Sequence, residues 1–176
     1  MIRCCYLLSC LLVFGVLSCR QKQQSGKTNT LSQKQINEQL VEANKAVLDT
    51  ENEQIDNFIA SNGWNVITTG TGLRYQILEK GSGSKAKFGK LVRFEYEIKL
   101  ISGETIYSSL ISGPKEFTIG SGGVESGLEE GILQLKVGDS ARFIIPSYLA
   151  HGLSGDQDKI PSKATLLYSL KLIDLK

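Results

Sequence analysis

The sequence predicts an α+β fold: a curved antiparallel sheet wrapped around a short helix, with an N-terminal helical extension. Three observations carry this expectation. Apolar residues recur at helical spacing over 33–61. From Leu73 onward they alternate with polar residues. Within that alternating region, the S-x-x-E pattern of Ser126–Glu129 opens one short apolar stripe. The composition agrees, since 176 residues with 41% hydrophobic and 22% charged side chains suit one ordinary domain with short additions.

The N-terminus reads as an export signal. Arg3 precedes an apolar run from Tyr6 to Leu17, broken only by Ser9, Cys10 and Gly15. A membrane-spanning helix needs about 20 apolar residues, so this run is short and fits a signal peptide over 1–18. It ends in Val16-Leu17-Ser18-Cys19, which resembles the bacterial lipobox. That resemblance implies cleavage before Cys19 and lipid on its side chain. Residues 19–32 are polar and aperiodic, a lipidated cysteine and flexible tether.

The helical segment spans 33–63. Ser32 and Gln35 form a capping box that satisfies free amides at a helix start. Ile36, Leu40, Ala43, Val47 and Leu48 follow at helical spacing, and Ile55, Phe58 and Ile59 continue the stripe. Asn62-Gly63 is a helix stop. One long helix or two shorter ones fill this segment. The stripe packs on its own domain or pairs two copies as a homodimer through residues 33–61; Thr50 and Gln54 interrupt a heptad register.

The strands come next. Leu73, Tyr75 and Ile77 alternate with Arg74 and Gln76 before the loop Gly81–Ser84. Val92, Phe94, Tyr96, Ile98 and Leu100 form one face of the clearest strand, with Arg93, Glu95, Glu97 and Lys99 on the other. Thr105–Ser108 and Glu116–Ile119 are shorter candidates. After the 126–135 helical stripe, Ala141–Ile145 reads as a strand stopped by Pro146. Residues 147–163 make a polar flap, and Ala164–Leu175 is the last strand, with Leu166, Tyr168, Leu170 and Leu172 on one face. About five strands result.

Several functions are disfavoured by the same reading. Twenty basic and 18 acidic residues are spread without a basic stripe, so no nucleic-acid partner is expected. The cysteines Cys4, Cys5, Cys10 and Cys19 all precede residue 20, and there is one histidine, so neither a disulfide scaffold nor a metal site is expected. Gly89-Lys90 is followed by Leu91, which breaks a phosphate-loop pattern. Glycines such as Gly120, Gly122 and Gly123 are turn residues.

The order of segments is more specific. Leu73-Arg74-Tyr75, Val92-x-Phe94-x-Tyr96, Gly103–Ser109, Phe117–Gly120, Val124–Gly131, Val137-Gly138-Asp139, Ile145–Gly152 and Ile160–Leu166 follow one another along the chain. Together they resemble an FKBP-type peptidyl-prolyl cis–trans isomerase over residues 72–176, and so imply an FKBP-like sheet around a helix. With the lipobox and the helical preface, the chain is similar to a lipoprotein subgroup of Bacteroidetes that includes gliding-motility-associated isomerases.

The resemblance implies a reaction, rotation about an X–Pro bond, and a pocket that needs no cofactor and no metal. By position, the catalytic residues are Tyr96, Tyr107 and His151. The substrate pocket is Ile106, Phe117, Val124, Glu125, Leu128, Ile160 and Tyr168. The backbone amide of Glu125 would meet a substrate carbonyl. Five positions depart from the family pattern. Ile106 stands where an aromatic is usual, Tyr107 where an acid is usual, Glu125 where a branched apolar residue is usual, His151 where a tyrosine is usual, and Tyr168 where phenylalanine is usual. These departures predict reduced activity and predict that Tyr107→Asp and Glu125→Ile raise the rate. The implied substrates are proline-containing segments of exported proteins. The implied place is the bacterial envelope, lipid-anchored at the outer membrane and facing the periplasm. The alternative reading is a non-catalytic peptide-binding chaperone, or envelope-assembly module, with a degenerate pocket.

Overall fold

A computed structural model of the chain describes residues 32–176. The signal peptide expected at 1–18, Cys19 and all of the tether but Ser32 lie outside the described residues. Backbone proximity divides the chain into two units, Met1–Glu38 and Gln39–Lys176. Of the first, residues 33–38 open the helix α1 (Gln33–Asn62). The expected capping box forms: Ser32 Oγ accepts the Gln35 N–H at 3.3 Å, and Gln35 Oε1 accepts the Ser32 N–H at 2.9 Å. Among the described residues, no helix is long and apolar enough to cross a membrane.

In the second unit α1 continues unbroken, one helix rather than two. Thr50 is accommodated by donating its hydroxyl back to the Ala46 carbonyl at 2.9 Å. Ile55 is fully buried and, with Phe58 and Ile59, packs on Ile144 and Leu167 of the sheet. Trp64 closes this cluster, edge-on to Phe58 at 5.1 Å and under the Arg142 guanidinium at 4.1 Å. Arg74 adds polar links to α1, reaching Asn52 at 3.0 Å and Asp56 at 3.4 Å. Farther toward the N-terminus, Leu40, Val41, Val47 and Leu48 of the same helix are exposed.

Seven antiparallel strands make one sheet: β1 (Ile67–Thr68), β2 (Arg74–Glu79), β3 (Leu91–Leu100), β4 (Thr105–Ser108), β5 (Lys115–Thr118), β6 (Ser140–Ile145) and β7 (Leu166–Leu175). The order is β1-β2-β6-β7-β3-β4, with β5 beside β4 along the outer edge of β3. The count exceeds the five expected because both of the shorter candidates form, as β4 and β5, and because β1 is too short to show a period. The four-residue helix α2 (Ser109–Ser112) escapes notice for the same reason. Register shifts interrupt three of the pairings, β2 with β6, β3 with β4 and β3 with β7, and each such bulge bends its strand.

Alternation on β3 is realised as expected, with Val92, Phe94, Tyr96 and Ile98 buried and Arg93 and Glu95 exposed. On β6 and β7 the pattern thickens, since Ile144 and Leu167 are buried too, on the opposite face. Those are the positions α1 covers. The main core lies on the other, concave face, where the third helix, α3 (Ser126–Ile132), is laid across the sheet.

Two glycines set how close α3 comes. A Cβ on Gly131 would sit 2.6 Å from the Phe143 ring, and one on Gly127 would collide with Ile145. The expected S-x-x-E capping box of α3 does not form. Glu125, one residue earlier, is the N-cap and caps with no side-chain bond. Ser126, already inside the helix, donates to the Leu149 carbonyl at 3.3 Å, and Glu129 accepts the Gly120 N–H instead.

Candidate active site

Between β5, the loop 121–125, α3 and the start of the flap lies a hollow of about 750 Å³. Five of the ten expected site residues line it: Phe117, Val124, Glu125, Leu128 and His151. Tyr96, Ile106, Ile160 and Tyr168 are buried in the same apolar cluster as Phe117 and Leu128, with Tyr107 and Val124 packed against it. The ten therefore converge on one region. Half of them face the hollow and the rest back its walls or cross to the flap.

The aromatic wall is built by period-two spacing. Phe94 and Tyr96 share one face of β3, with ring centroids 5.9 Å apart, and Phe94 meets Phe117 edge-on at 6.0 Å. Phe117 reaches Phe94 because β5 pairs with β3 in a register that sets Phe117 beside Val92. The Lys115 ammonium sits 4.8 Å over the Tyr96 ring. Sequence reasoning missed this cation because the alternation of β5 is only four residues long.

One carboxylate organises the opposite side. Glu125 Oε1 accepts the Tyr168 hydroxyl at 2.7 Å and lies 3.0 Å from His151 Nε2. These are two of the five departures from the family pattern, and they answer a third: the tyrosine hydroxyl on β7 needs an acceptor, and Glu125 supplies it. Burial first, then the charge and hydrogen bond of Glu125, push the Tyr168 phenol well above its ordinary range. The Glu125 carbonyl is taken by the Leu128 and Glu129 amides at 3.0 and 3.1 Å. Its own N–H donates to no group among the described residues, which leaves that donor for an incoming carbonyl.

Tyr107 holds a fourth departure, and the fifth, Ile106, is buried in the apolar cluster. The Tyr107 hydroxyl donates to Asp156 Oδ2 at 2.5 Å and lies 3.2 Å from Asp158 Oδ2. The position that usually carries an acid thus receives two acids from the flap. Asp156 Oδ1 also accepts the Asp158 and Ile160 amides at 3.0 and 2.7 Å, which fixes the turn that brings buried Ile160 to the core. Lys159 lies 5.5 Å over the Tyr107 ring. Asp156 and Asp158 were not singled out from sequence. The D-x-D spacing was legible, but nothing in it marks a partner 49 residues upstream.

A hollow with an apolar side of Phe117, Val124 and Leu128, and with an amide donor unpartnered among the described residues, matches what a known family requires. The family model described as FKBP-type peptidyl-prolyl cis-trans isomerase matches residues 82–173. The chain belongs to the FKBP-type peptidyl-prolyl cis–trans isomerase family.

One of its relatives bears the same description, and another is named for binding FK506. The chain is 37% identical over 138 residues to a protein of Neisseria meningitidis named probable FKBP-type peptidyl-prolyl cis-trans isomerase FkpA, covering 77% of this chain and 50% of that one. It is 41% identical over 109 residues to FK506-binding protein 4 of Dictyostelium discoideum, covering 62% of this chain and 30% of that one. It therefore spans half or less of the length of these two relatives. Among solved structures, FkpA from Escherichia coli superposes with a TM-score of 0.64 at 29% identity, covering 84% of this chain and 74% of that one. The FKBP-like fold, with its antiparallel sheet, inner helix and N-terminal helix, stands on this likeness together with the topology above.

Proposed function

We propose that this chain catalyses cis–trans isomerisation of X–Pro bonds in exported proteins at the bacterial envelope. One observation carries the reading: a hollow with an apolar side of Phe117, Val124 and Leu128, on whose rim the Glu125 N–H has no partner among the described residues. A planar amide is charge-separated and favoured by water, whereas the twisted amide has lost that polarity. Walls of Phe117, Val124 and Leu128 hold the twisted form relatively better, and the Glu125 amide fixes the carbonyl that precedes the bond. The proline ring sits on the apolar floor. No covalent step is required.

The sequence resemblances supply the setting. Cys19 carries the lipid anchor, residues 19–32 are the tether, and the domain faces the periplasm from the outer membrane, as in the lipoprotein subgroup of Bacteroidetes. The exposed apolar side chains of α1 support pairing of two copies through residues 33–61, which light scattering of the detergent-solubilised protein would read as twice the protomer mass.

The test is the rate at which a proline-containing peptide relaxes from cis to trans. Uncatalysed relaxation takes tens of seconds at 25 °C. We expect a large acceleration that saturates with peptide; a rate equal to the uncatalysed one overturns the enzymatic reading. A second reading, a non-catalytic peptide-binding chaperone or assembly module, is favoured by the polar Glu125–His151–Tyr168 group beside a hollow that Lys115, Glu116, Thr118 and Ser121 also line. Peptide binding without acceleration would select it.

A further inference from the structure

Both roots of the flap return to one carboxylate on α1. Glu51 is buried, with 8% of its surface exposed. Its Oε1 accepts the Ser147 N–H at 2.6 Å and the Thr165 hydroxyl at 2.7 Å, and its Oε2 accepts the Ser147 hydroxyl at 2.9 Å. Ser147 opens the flap. Thr165 stands just past its far end, immediately before β7. Between them lie His151, Asp156 and Ile160, the flap's contributions to the site.

Docking of the helix does not explain this residue. Ile55, Phe58 and Ile59 already bury an apolar stripe against Ile144 and Leu167, and Arg74 already ties α1 to β2. A buried carboxylate is costly unless its hydrogen bonds are made. Here all three donors belong to the two flap roots, and bonds to an ionised acceptor are the strong kind.

The roots are wired inward from there. The Gly152 N–H donates to the Ser147 carbonyl at 2.8 Å, and the Lys163 N–H donates to the Gly152 carbonyl at 2.8 Å. Displacing Ser147 therefore moves the residue next to His151 and the far limb of the flap together. Space for such movement exists, since a hollow of about 350 Å³ borders Glu51, Ser147 and Lys163. Gln157 and Lys163 both hold left-handed backbone, at φ 63° and 58°, which side-chain-bearing residues adopt only under outside constraint.

We propose that Glu51 is a positioning residue for the isomerase pocket. By joining the two flap roots, it fixes His151 against Glu125 and holds Ile160 in the core beside the hollow. The inference rests on the isomerase reading for its kinetic effect, but its structural half stands apart from catalysis.

The experiment uses the full chain in detergent and three variants, Glu51→Ala, Glu51→Gln and Phe58→Ala. Phe58 packs α1 on the sheet in an apolar cluster that includes no flap residue. Peptide kinetics, Tm and amide hydrogen exchange are measured on each. Glu51→Ala is expected to lower kcat/KM about five-fold or more. It should also speed exchange of the Gly152 and Lys163 amides about ten-fold relative to β3 amides. Glu51→Gln, which keeps one acceptor oxygen, should recover part of both. Phe58→Ala should lower Tm while leaving kcat/KM within about two-fold and flap exchange unchanged. The proposal is overturned if Glu51→Ala leaves flap exchange as in the wild type. It is equally overturned if Phe58→Ala and Glu51→Ala lose activity in proportion to their loss of Tm. Should Glu51→Ala not fold, Glu51→Gln against Phe58→Ala decides on the same criteria. A wild type with no isomerase activity rejects the proposed function, and the exchange comparison then decides the role of Glu51 by itself.

Discussion

The Tyr107 hydroxyl lies 2.5 Å from Asp156 Oδ2, joining β4 to the flap. Burial alone would raise the Asp156 carboxyl. The Tyr107 bond, the amides of Asp158 and Ile160 and the nearby His151 outweigh it and hold the carboxyl at about 2. In turn, the bond to Asp156, followed by burial and the bond to Asp158, pushes the Tyr107 phenol well above its ordinary range.

The pH dependence follows from that depression. A carboxyl whose folded pKa lies below its unfolded value stabilises the fold above the unfolded pKa, about 3.9 for aspartate, and loses that contribution as pH falls toward the folded value. Flap protection in the wild type should therefore weaken between about pH 4 and pH 2. In Tyr107→Phe the Asp156 carboxyl should move up toward the ordinary range, and the weakening should begin at higher pH. Carboxyl chemical shifts followed by NMR against pH check this; an unmoved Asp156 titration refutes it.

For Tyr107→Asp, the geometry reverses the expectation drawn from the family pattern. The shorter aspartate takes the hydroxyl donor away from Asp156 and Asp158 and adds a third negative charge on their side of β4. The flap should loosen, and the isomerisation rate should fall rather than rise. Peptide kinetics on this variant, at neutral pH and two ionic strengths, would show the loss shrinking in salt.

Glu125→Ile also reads differently once Tyr168 is in place. The variant strips the acceptor from a buried phenol, which costs about 1–3 kcal/mol when the group is left unpaired. Urea denaturation should report a lowered midpoint. The double variant Glu125→Ile with Tyr168→Phe should recover most of it, and that pair is the fair test of whether an apolar residue at 125 raises the rate.

Gly131→Ala should destabilise although alanine favours helix by about 1 kcal/mol. The new methyl meets the Phe143 ring in a filled core, and overpacking of this kind costs about 1–3 kcal/mol. A stability equal to or above wild type in urea would mean that α3 has room to shift outward.

Ile55→Ala should cost about 2–5 kcal/mol, since the side chain is fully buried between α1 and the sheet. Trp64 is the chain's one tryptophan and sits in the same cluster. Its fluorescence should therefore follow release of the helix end directly.

Legibility in the sequence tracked the reach of the interactions. The period-two run of Val92, Phe94, Tyr96 and Ile98 is a local consequence of one face meeting a core, and it was readable residue by residue. The Ser32–Gln35 box was equally local. At Ser126–Glu129 the same signature misled, because the helix begins one residue earlier and both side chains found partners outside it, Leu149 and Gly120. The ten site residues could be gathered only through family resemblance, since pocket walls and plain core have the same composition. What stayed hidden were pairings across long separations: Glu51 with Ser147 and Thr165, and Tyr107 with Asp156. Each partner alone is an unremarkable polar residue, and the physics that joins them exists only after the sheet has formed.

The stretch matched by the family model starts at residue 82, beyond β1, β2 and all of α1. A gene trimmed to that stretch would leave β6 with a raw outer border of unpaired amides and carbonyls, and would bare Ile144 and Leu167 to water. Such a fragment should clump through strand-to-strand stacking between neighbouring molecules, so the minimal soluble piece of this protein must carry its preface with it.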